Sequence, residues 1–491
     1  MSSRSRIGLL LIWAGLALAP EVTEATTVPP PPVSSVAVMP FANTCGEPKQ
    51  DYFAAGISED LRDMLARINE LQVAGRASSL SFQTRHVGYQ AVARKLNVAA
   101  LLDGGVCRFG DAVRMTMRLI DGASGLPSWS QSFAFDLKDI ATTRTTIALA
   151  VARRLQVNPS AEIAATVELG STHDAQAYDE YLHGLLMYRK AARAAAFRGA
   201  VVRFDRAISR DPNFSAAYAY RARALIGLSA WIPTPGMRAG VREQARSSAE
   251  RAVALAPQLG EAHLALGVMW SVGFLDFAAA APEYARALEL TPGSAEVQRD
   301  AAAYYGLTGR PEIAIAAARR AVSLDPAGFR AHLTLAEAYY HARRFNEGLA
   351  AIEQARQIDP GASQTAAYTA FSYLALARFD DARRTCESRP ARLDEDDEHW
   401  CLAVAYNALG KRAEAETELA RLRALDGEAG EFFLAEVYAQ WGDRAAALQS
   451  LATAVNLQNA GLRLFKVDWP LDPIRSEPQF QRLERQLKFP P

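Results

Sequence analysis

ALELTP (residues 287–292), AVSLDP (321–326) and ARQIDP (355–360) are variants of one phrase, and each of them ends in a proline. Two related phrases, AISRDP and AVALAP, occur earlier in the chain. The five closing prolines are Pro212, Pro257, Pro292, Pro326 and Pro360. The last three intervals between them are about 34 residues, which is the length of a helix–turn–helix repeat. One helical hairpin cannot bury its apolar face alone, so the units are expected to stack into a superhelix with a concave face.

Small and aromatic residues recur at fixed places inside each unit, as Tyr339, Gly348 and Ala355 do in the unit that ends at Pro360. Alanine and glycine allow the helix axes to approach to about 8–10 Å. Proline ends the second helix because its ring cannot continue the backbone hydrogen-bond ladder. This pattern resembles tetratricopeptide (TPR) repeats. The resemblance implies a mainly α protein whose residues 174–458 form a right-handed α/α superhelix of about eight helical hairpins.

The composition is that of an ordinary globular protein. Of the 491 residues, 50% are hydrophobic and 22% are charged, which argues against intrinsic disorder. The 54 Lys and Arg residues balance the 54 Asp and Glu residues, so the chain lacks the basic field that would hold nucleic acid. We therefore expect a protein or peptide partner and no nucleic acid.

The first 25 residues have the organisation of a signal peptide or membrane anchor. Arg4 and Arg6 precede the apolar run Ile7–Ala19, which is typical of a secretory signal and short for a transmembrane helix. Retention of this run as an inner-membrane anchor and its burial as an N-terminal helix are the alternatives. Residues 26–33 form a proline-rich, extended spacer. A signal or an anchor would make the protein periplasmic, secreted, or membrane-anchored with its bulk in the periplasm.

Residues 34–158 are predicted to form a small α+β domain. The predicted strands are Ser35–Phe41, Leu71–Ala74, Ala99–Arg108, Ala112–Asp121 and Leu126–Phe135, and the predicted helices are Asp51–Ile68, Tyr89–Leu96 and Leu137–Leu155. Val113 and Met115 alternate with Arg114 and Thr116, which indicates a strand with one solvated face. Glu59 and Asp60 are expected on the polar, solvated face of an amphipathic helix, and catalysis by this carboxylate pair is the weaker alternative.

Three phrases in this domain are those of a known family. They are SVAVMPFANTCGEPKQDYFAAGISEDLRDMLARI (35–68), LLDGGVCRFGDAVR (101–114) and RLIDGASG (118–125). Together they resemble the TolB-like amino-terminal domain, which precedes TPR repeats in many bacterial proteins. The family's frequent company of cyclase or DNA-binding domains implies, as an alternative function, a sensory or regulatory module.

A search of the sequence for catalytic motifs is negative. It contains no GxxxxGK[ST], HExxH, GxSxG, GxGxxG or CxxC. His332 and His341 are nine residues apart, which is not a chelating spacing. The acidic run Leu393–His399 is expected to be a solvated loop that caps the next helix, with a cation site as the alternative. We predict a protein that is not an enzyme and needs no metal or cofactor.

The four cysteines fall into two pairs with different expectations. Cys386 is expected near the end of one second helix and Cys401 in the first helix of the next unit. They would form a disulfide in an oxidising periplasm or remain two buried thiols. A bond between Cys45 and Cys107 is less expected, because one is on a loop, the other is in a strand, and nothing in the sequence fixes the distance between them.

The concave face is the predicted binding surface. In a TPR superhelix the first helix of each hairpin lines this face, and the residues expected to point inward are Arg299, Arg330, Glu337, Tyr340, Phe371, Trp400 and Asn407. Arg, Tyr and Trp are the residue types that dominate interface hot spots. Packing between neighbouring helices is the alternative for Phe371 and Trp400. Residues 459–491 break the repeat period and are expected to cap the array. The predicted function is a non-enzymatic, protein- or peptide-binding scaffold of the bacterial cell envelope.

Overall fold

The structure is a computed structural model that describes residues 32–82, 87–158, 160–232, 234–388, 393–426 and 430–490. The predicted signal or anchor segment Ile7–Ala19 and most of the proline-rich spacer lie outside the described residues. In the part of the chain that is described, no helix is long and apolar enough to cross a membrane.

An α+β domain opens the described chain. Its strands are β1 (Ser35–Val38), β2 (Ala42–Asn43), β3 (Gln72–Val73), β4 (Ala100–Phe109), β5 (Ala112–Asp121) and β6 (Pro127–Asp136). They form one mixed sheet in the order β3-β1-β4-β5-β6, with the short β2 also paired to β4. The pairs that involve β1, β2 and β3 are parallel, whereas β4, β5 and β6 form an antiparallel meander. Val113 and Met115 are buried and Arg114 and Thr116 are exposed, as their alternation predicts.

Five helices belong to this domain and to the connection that follows it. They are α1 (Asp51–Ala66), α2 (Arg76–Leu80), α3 (Tyr89–Leu96), α4 (Ile140–Arg154) and α5 (Ala161–Glu168). The short helix α2 carries no apolar periodicity and was not predicted. Its formation depends on contacts with the repeats, which are described below.

Among the described residues, sixteen further helices pair into eight hairpins, which we number as units 1 to 8. They are α6 (Ala175–Arg189) and α7 (Ala194–Arg210), α8 (Ser215–Ser229) and α9 (Pro235–Leu255), α10 (Gly260–Val268) and α11 (Phe277–Leu290), α12 (Ala295–Leu307) and α13 (Pro311–Leu324), α14 (Phe329–His341) and α15 (Phe345–Ile358), α16 (Ser363–Ala375) and α17 (Phe379–Glu387), α18 (Glu395–Ala408) and α19 (Arg412–Asp426), and α20 (Glu431–Gln440) and α21 (Arg444–Asn456). Each helix packs on its partner and on the next unit. The TPR-like α/α superhelix is therefore confirmed.

In units 3 to 8, the turn inside the hairpin contains a residue with left-handed backbone geometry at a recurring position. Its occupants are Leu275, Gly309, Arg343, Ala377, Gly410 and Gly442. Glycine adopts a positive φ without steric cost, which explains its use in three of the six units. The other three units accept the strain of a side chain at the same position.

The α+β domain and the repeats share their largest core. Buried residues such as Val36 in β1 and Ile57 in α1 belong to the same apolar cluster as Leu182 in α6 and Phe204 in α7. The predicted boundary at residue 158 thus marks a change of architecture and not a break in packing.

The C-terminal tail, which we define as residues 460–490, follows unit 8. Two short 3₁₀ helices, Ala460–Leu464 and Trp469–Ile474, precede the last helix, α22 (Pro478–Gln486). The tail residues Phe465, Leu471 and Phe480 are buried in a core shared with units 6 to 8.

Candidate functional site

The seven predicted binding residues all lie on first helices of the repeats. Arg299 is on α12, Arg330, Glu337 and Tyr340 are on α14, Phe371 is on α16, and Trp400 and Asn407 are on α18. We call the surface formed by these first helices the groove. Two other parts of the chain occupy it: α1 and α2 cover the half formed by units 1 to 5, and the tail covers the half formed by units 5 to 8.

Helix α1 contacts the first helices of units 1 and 2 through its charged residues. The Arg189 guanidinium, at the end of α6, forms ion pairs with both Glu59 and Asp63. The Tyr220 hydroxyl, on α8, donates a hydrogen bond of 3.0 Å to the Asp63 carboxylate. Arg62 adds an ion pair of 2.8 Å to Glu59. One face of α1 is therefore held in the groove by paired charges.

A second group of contacts extends this ionic interface. Asp60 forms an ion pair with Arg144 of α4 and accepts a hydrogen bond of 2.8 Å from the Tyr178 hydroxyl of α6. At the end of α1, the Arg67 side chain forms a 3.0 Å ion pair with Glu261 of α10. The interface thus runs the length of α1 and reaches units 1, 2 and 3.

The expectation that Glu59 and Asp60 lie on a solvated helix face was wrong. Their exposed fractions are only 3% and 4%, because the polar face of α1 is the face that contacts the repeats. Burial alone would raise the pKa of Glu59, but Arg62 and Arg189 outweigh it and hold that pKa below its usual range. Burial dominates at Asp63 and raises its pKa. Both carboxylates serve an interface between parts of the chain.

Helix α2 is fixed to the groove by the loop that precedes α14. The Asp325 carboxylate accepts a hydrogen bond of 2.7 Å from the backbone N–H of Ser78 in the first turn of α2. The backbone N–H of Gly75 donates to the carbonyl of Leu324 at 2.7 Å. A Cβ atom at Gly75 would lie 2.4 Å from the Asp325 side chain, so only glycine permits this approach. A residue of unit 5's loop therefore caps a helix of the α+β domain.

The tail covers the first helices of units 5 to 8. The Trp469 indole N–H donates a hydrogen bond of 2.7 Å to the Tyr340 hydroxyl on α14. Arg343 and Asp472 form an ion pair of 3.0 Å, and the Gln440 amide of α20 donates to the carbonyl of Pro470 at 2.7 Å. Aromatic, ionic and backbone contacts therefore hold the tail residues Trp469–Asp472 in the groove.

The last residues of the tail reach back to unit 3. Lys488 forms an ion pair of 2.7 Å with Asp276, and its carbonyl accepts a hydrogen bond from the backbone N–H of Ala278 at 2.8 Å. The Phe489 ring stacks on Phe277 with 4.6 Å between ring centroids. The tail was expected to cap the array; it also bridges unit 8 and unit 3 across the groove.

Two buried carboxyl groups face one another beneath the tail. Glu436 of α20 and Asp468 of the tail lie within hydrogen-bonding reach, and both are buried. Burial raises the pKa of Glu436, and the neighbouring Asp468 carboxyl raises it further. Burial also raises the pKa of Asp468, although Arg343 and Arg475 oppose this effect. A shared proton is the natural arrangement for two such groups.

These contacts change the interpretation of the predicted concave residues. Tyr340 and Trp400 are only 5% and 3% exposed, so they are not an open surface in this structure. Phe371 packs edge-on against Trp400 with a centroid distance of 4.8 Å, which agrees with the alternative of packing between helices. Burial raises the pKa of Glu337. Asn407 lies at the exposed end of α18, where its side-chain oxygen accepts a hydrogen bond from Arg412.

Arg299 and Arg330 line a cleft of about 480 Å³, which we call the interdomain cleft. Its walls come from α1, β3 and α2 on one side and from α6, α12 and α14 on the other. Arg299 is paired with Asp300 at 2.7 Å, whereas Arg330 is exposed and forms no ion pair in the part of the chain that is described. Of the seven predicted residues, Arg330 is the one that offers an unpaired charge at a cleft.

A second cleft, of about 670 Å³, lies between the α+β domain and unit 1. Phe41, Leu186 and Met187 supply apolar walls, and Tyr52 stacks on His183 with ring centroids 3.4 Å apart. The Tyr52 hydroxyl donates to Asp179 at 2.7 Å. No residue of this cleft was singled out in the sequence.

Both cysteine pairs are joined in the structure. Cys386 and Cys401 form a disulfide with their Cα atoms 6.5 Å apart, which is the arrangement considered from the sequence. Cys45 and Cys107, the pair that was less expected from the sequence, are also bonded, with a Cα–Cα distance of 4.9 Å. The parallel pairing of Asn43 with Val106 brings the loop after β2 beside Cys107. That pairing is a tertiary contact with no local sequence signal.

Within the described residues, no group of three or more His, Cys, Asp or Glu residues could hold a metal ion. His332 donates a hydrogen bond of 2.9 Å from Nε2 to the carbonyl of Pro326, and burial lowers the pKa of His341 to about 3. In the acidic run Leu393–His399, Asp394 is the N-cap residue of α18 and the residues from Glu395 onward form its first turns, so most of the run is helix and not loop. Burial and its acidic neighbours raise the pKa of Asp397 to about 7.

The chain is similar to known proteins over part of its length. No protein-family model matches the chain. The chain is 29% identical over 226 residues to "Putative adenylate cyclase 3" of Rhizobium meliloti (strain 1021), a match that covers 45% of this chain and 38% of that protein. The chain thus spans less than two fifths of the length of this curated relative.

Three solved structures illustrate the fold similarity. PilF of Pseudomonas aeruginosa is 18% identical with a TM-score of 0.33, and the match covers 42% of this chain and 91% of that one. YrrB, described as a TPR protein with an unusual peptide-binding site, is 15% identical with a TM-score of 0.30, covering 44% and 97%. Human IFIT1 is 14% identical with a TM-score of 0.42, covering 71% and 78%. Likeness at this level carries no functional information.

Proposed function

We propose that this protein is a non-enzymatic scaffold of the bacterial cell envelope that binds a protein or peptide partner at the interdomain cleft. The observation that carries the proposal is the position of Arg330, which is exposed at a cleft of about 480 Å³ on the first helix of a repeat. An arginine in such a place combines a large contact area with directional hydrogen bonding.

The chemistry of the cleft favours a partner that supplies a carboxylate. Arg330 presents a planar guanidinium that can bind a carboxylate in a bidentate manner. The other arginines of the cleft are already matched, since Arg189 and Arg62 are paired with acidic residues of α1. An acidic peptide segment would therefore find Arg330 as its first anchor.

The test is capture of a cross-linked partner from an envelope fraction by full-length chain. Arg330→Glu should reduce recovery of the specific partner at least tenfold, which corresponds to about 1.4 kcal/mol, because the reversed charge repels a carboxylate. Tyr340 is left unchanged in this test because it is covered by the tail. The matched control is Arg356→Glu, since Arg356 is an exposed arginine of the outer helix α15.

Equal recovery by Arg330→Glu and by the unaltered chain, with both proteins folded, would contradict the cleft as the binding site. A loss of recovery that also appears in Arg356→Glu would indicate general charge effects and would contradict it equally.

Two features of the chain support the envelope location: its disulfides and its N-terminal segment. Disulfides persist in oxidising compartments, and all four cysteines are within two disulfides. The order of Arg4 and Arg6 followed by the apolar run Ile7–Ala19 favours export, and the run would act as an inner-membrane anchor if it is retained. A reporter that is active only outside the cytoplasm, fused after Pro32, should be active, and an inactive reporter would contradict the proposed location.

A regulatory module of a cyclase system is the second candidate. The sequence match to a protein named as an adenylate cyclase favours it, as does the resemblance of residues 34–155 to the TolB-like domain. If it is correct, purified chain should change cyclic AMP production by an adenylate cyclase from the same bacterium. No change over a range of chain concentrations would remove this candidate.

A further inference from the structure

The groove over units 5 to 8 contains a short segment of the chain itself. We infer that this half of the groove is a second peptide-binding surface, and that it fits a segment in which a buried carboxyl precedes a tryptophan, a proline and a further carboxylate. The segment Asp468–Ile474, DWPLDPI, shows this chemistry. The inference rests on the proposed peptide-binding function but concerns a different surface from the interdomain cleft.

Each of three features of the segment meets a matching group on a first helix or in the turn that follows one. The Trp469 indole N–H donates to the Tyr340 hydroxyl at 2.7 Å, and Asp472 pairs with Arg343 at 3.0 Å. The carbonyl of Pro470 accepts from Gln440 at 2.7 Å. These three contacts engage both the side chains and the backbone of the segment, as the contacts of a peptide-binding groove do.

The contacts at the edge of this surface are exposed enough to exchange. Asp472 and Arg343 retain 52% and 35% of their side-chain exposure, and an exposed ion pair contributes little free energy. Trp469 is itself only partly buried. The segment also lacks long regular structure, since it is a single 3₁₀ helix of six residues. Leu471 and Ile474, in contrast, are fully buried in the core shared with units 6 to 8. An external peptide that replaces the segment must therefore supply these two apolar side chains as well as the polar groups.

The chain's own tail is an effective competitor. Because it is covalently attached, its effective concentration at the groove is of the order of millimolar. The unaltered protein should therefore bind such a peptide weakly, and weakening the internal contacts should expose the surface. The same argument makes a tail from a second copy of the chain the main rival occupant.

The experiment measures binding of a fluorescent peptide, KVDWPLDPIRS (residues 466–476), to full-length protein by anisotropy. The chain carrying Trp469→Ala and Asp472→Arg loses the indole contact and places a repelling charge opposite Arg343. It should bind the peptide at least tenfold more tightly than the unaltered chain does. The control chain is Glu353→Arg, which changes an exposed residue of the outer helix α15 and should bind like the unaltered chain.

A second peptide, with alanine in place of the tryptophan, should lose the gain in affinity. Should the double variant fail to fold, Asp472→Arg alone keeps the test, because that side chain is half exposed and its variant is expected to bind at least threefold more tightly. Equal binding by the variant and the unaltered chain overturns the inference. So does a gain that does not depend on the peptide's tryptophan.

Conversion of the variant into a dimer, seen by light scattering, would assign the surface to exchange of tails between copies and would overturn the inference as well. If these tests fail while Arg330→Glu still abolishes partner capture, the interdomain cleft stands and only the second surface is lost. If the peptide binds as expected while Arg330→Glu leaves partner capture unchanged, the second surface stands and the interdomain cleft is lost.

Discussion

The two halves of the groove are occupied by different chemistry. In the half formed by units 1 to 5, helix α1 is held by a buried network of ion pairs, with Arg189 joined to both Glu59 and Asp63. In the half formed by units 5 to 8, the tail is held by aromatic contacts, by the ion pairs Arg343–Asp472 and Arg444–Glu477, and by the carboxyl groups of Glu436 and Asp468.

The difference indicates two roles for the two occupants. A buried ionic network contributes specificity of position more than net stability, and it is costly to break at one member because the remaining charge is left unpaired. The tail has fewer buried charges and a more exposed edge, so its release leaves fewer charges unpaired, although it also exposes Leu471 and Ile474. We therefore expect α1 to be a permanent part of the array and the tail to be the exchangeable part.

The largest expected effect is that of breaking the network at its centre. Arg189→Met keeps most of the side-chain volume but leaves Asp63 and Glu59 without their shared partner. The free energy of unfolding should fall by about 3–5 kcal/mol, measured by urea denaturation. Arg206→Met is the control, because Arg206 is a mostly exposed arginine with a 3.7 Å contact to Glu180, and it should cost less than about 1 kcal/mol. Similar losses in both variants would contradict a structural role for the network.

The two disulfides provide the next comparison, since each belongs to one half of the molecule. They close loops with sequence separations of 62 and 15 residues, and removal of either should cost about 2–4 kcal/mol. Cys45 is exposed, whereas Cys386 and Cys401 are buried. Mild reduction of the native protein followed by alkylation should therefore label Cys45 and Cys107 first. Labelling of the other pair first, detected by mass spectrometry, would mean that units 6 and 7 open more readily than the structure indicates.

The smallest expected effect is a pH dependence confined to the tail. Burial raises the pKa values of Glu436 and Asp468 above their ordinary values of 4.5 and 3.8. Groups with raised pKa values in the docked state stabilise it fully below their ordinary pKa, and this stabilisation is lost as the pH rises through the raised values. Tail docking should therefore weaken with increasing pH, by about 1.4 kcal/mol for each unit of pKa shift.

Hydrogen exchange of residues 460–474 between pH 5 and pH 8, corrected for intrinsic rates, would measure this weakening. Glu436→Gln removes one titrating group and should flatten the profile, while the profile of α1 should be unaffected. The other charged groups that face the pair are Arg343, Asp397, Asp472 and Arg475, and Asp397, with a pKa of about 7, contributes in the same direction. A tail that became better protected at high pH would contradict the account.

The repeat pattern predicted most of the helical architecture because it is local. The proline spacing and the small residues at the helix contacts indicate the hairpins directly. The alternation of apolar and polar residues in β5 indicates which side of the sheet is buried. The helix predicted at Asp51–Ile68 and the strand at Ala112–Asp121 are found as α1 (Asp51–Ala66) and β5.

The occupancy of the groove could not be predicted, because it depends on which polar surfaces meet in the folded chain. Glu59 and Asp60 have the spacing of a solvated helix face, and nothing near them in sequence indicates that Arg189 and Arg144 will cover that face. For the same reason, Tyr340 has in the sequence the features of an exposed hot-spot residue, whereas in the folded chain Trp469 contacts it and donates a hydrogen bond to its hydroxyl.

The central claim is that the tail of the same chain lies across the groove from unit 8 to unit 3. The most direct test uses Lys488 and Asp276, whose charged atoms are 2.7 Å apart. A zero-length carbodiimide cross-linker should join these two side chains in dilute, monomeric protein, and Lys488→Ala should abolish the linked peptide pair in the mass spectrum. Absence of the link in the folded monomer, or its appearance only in dimers, would contradict the account.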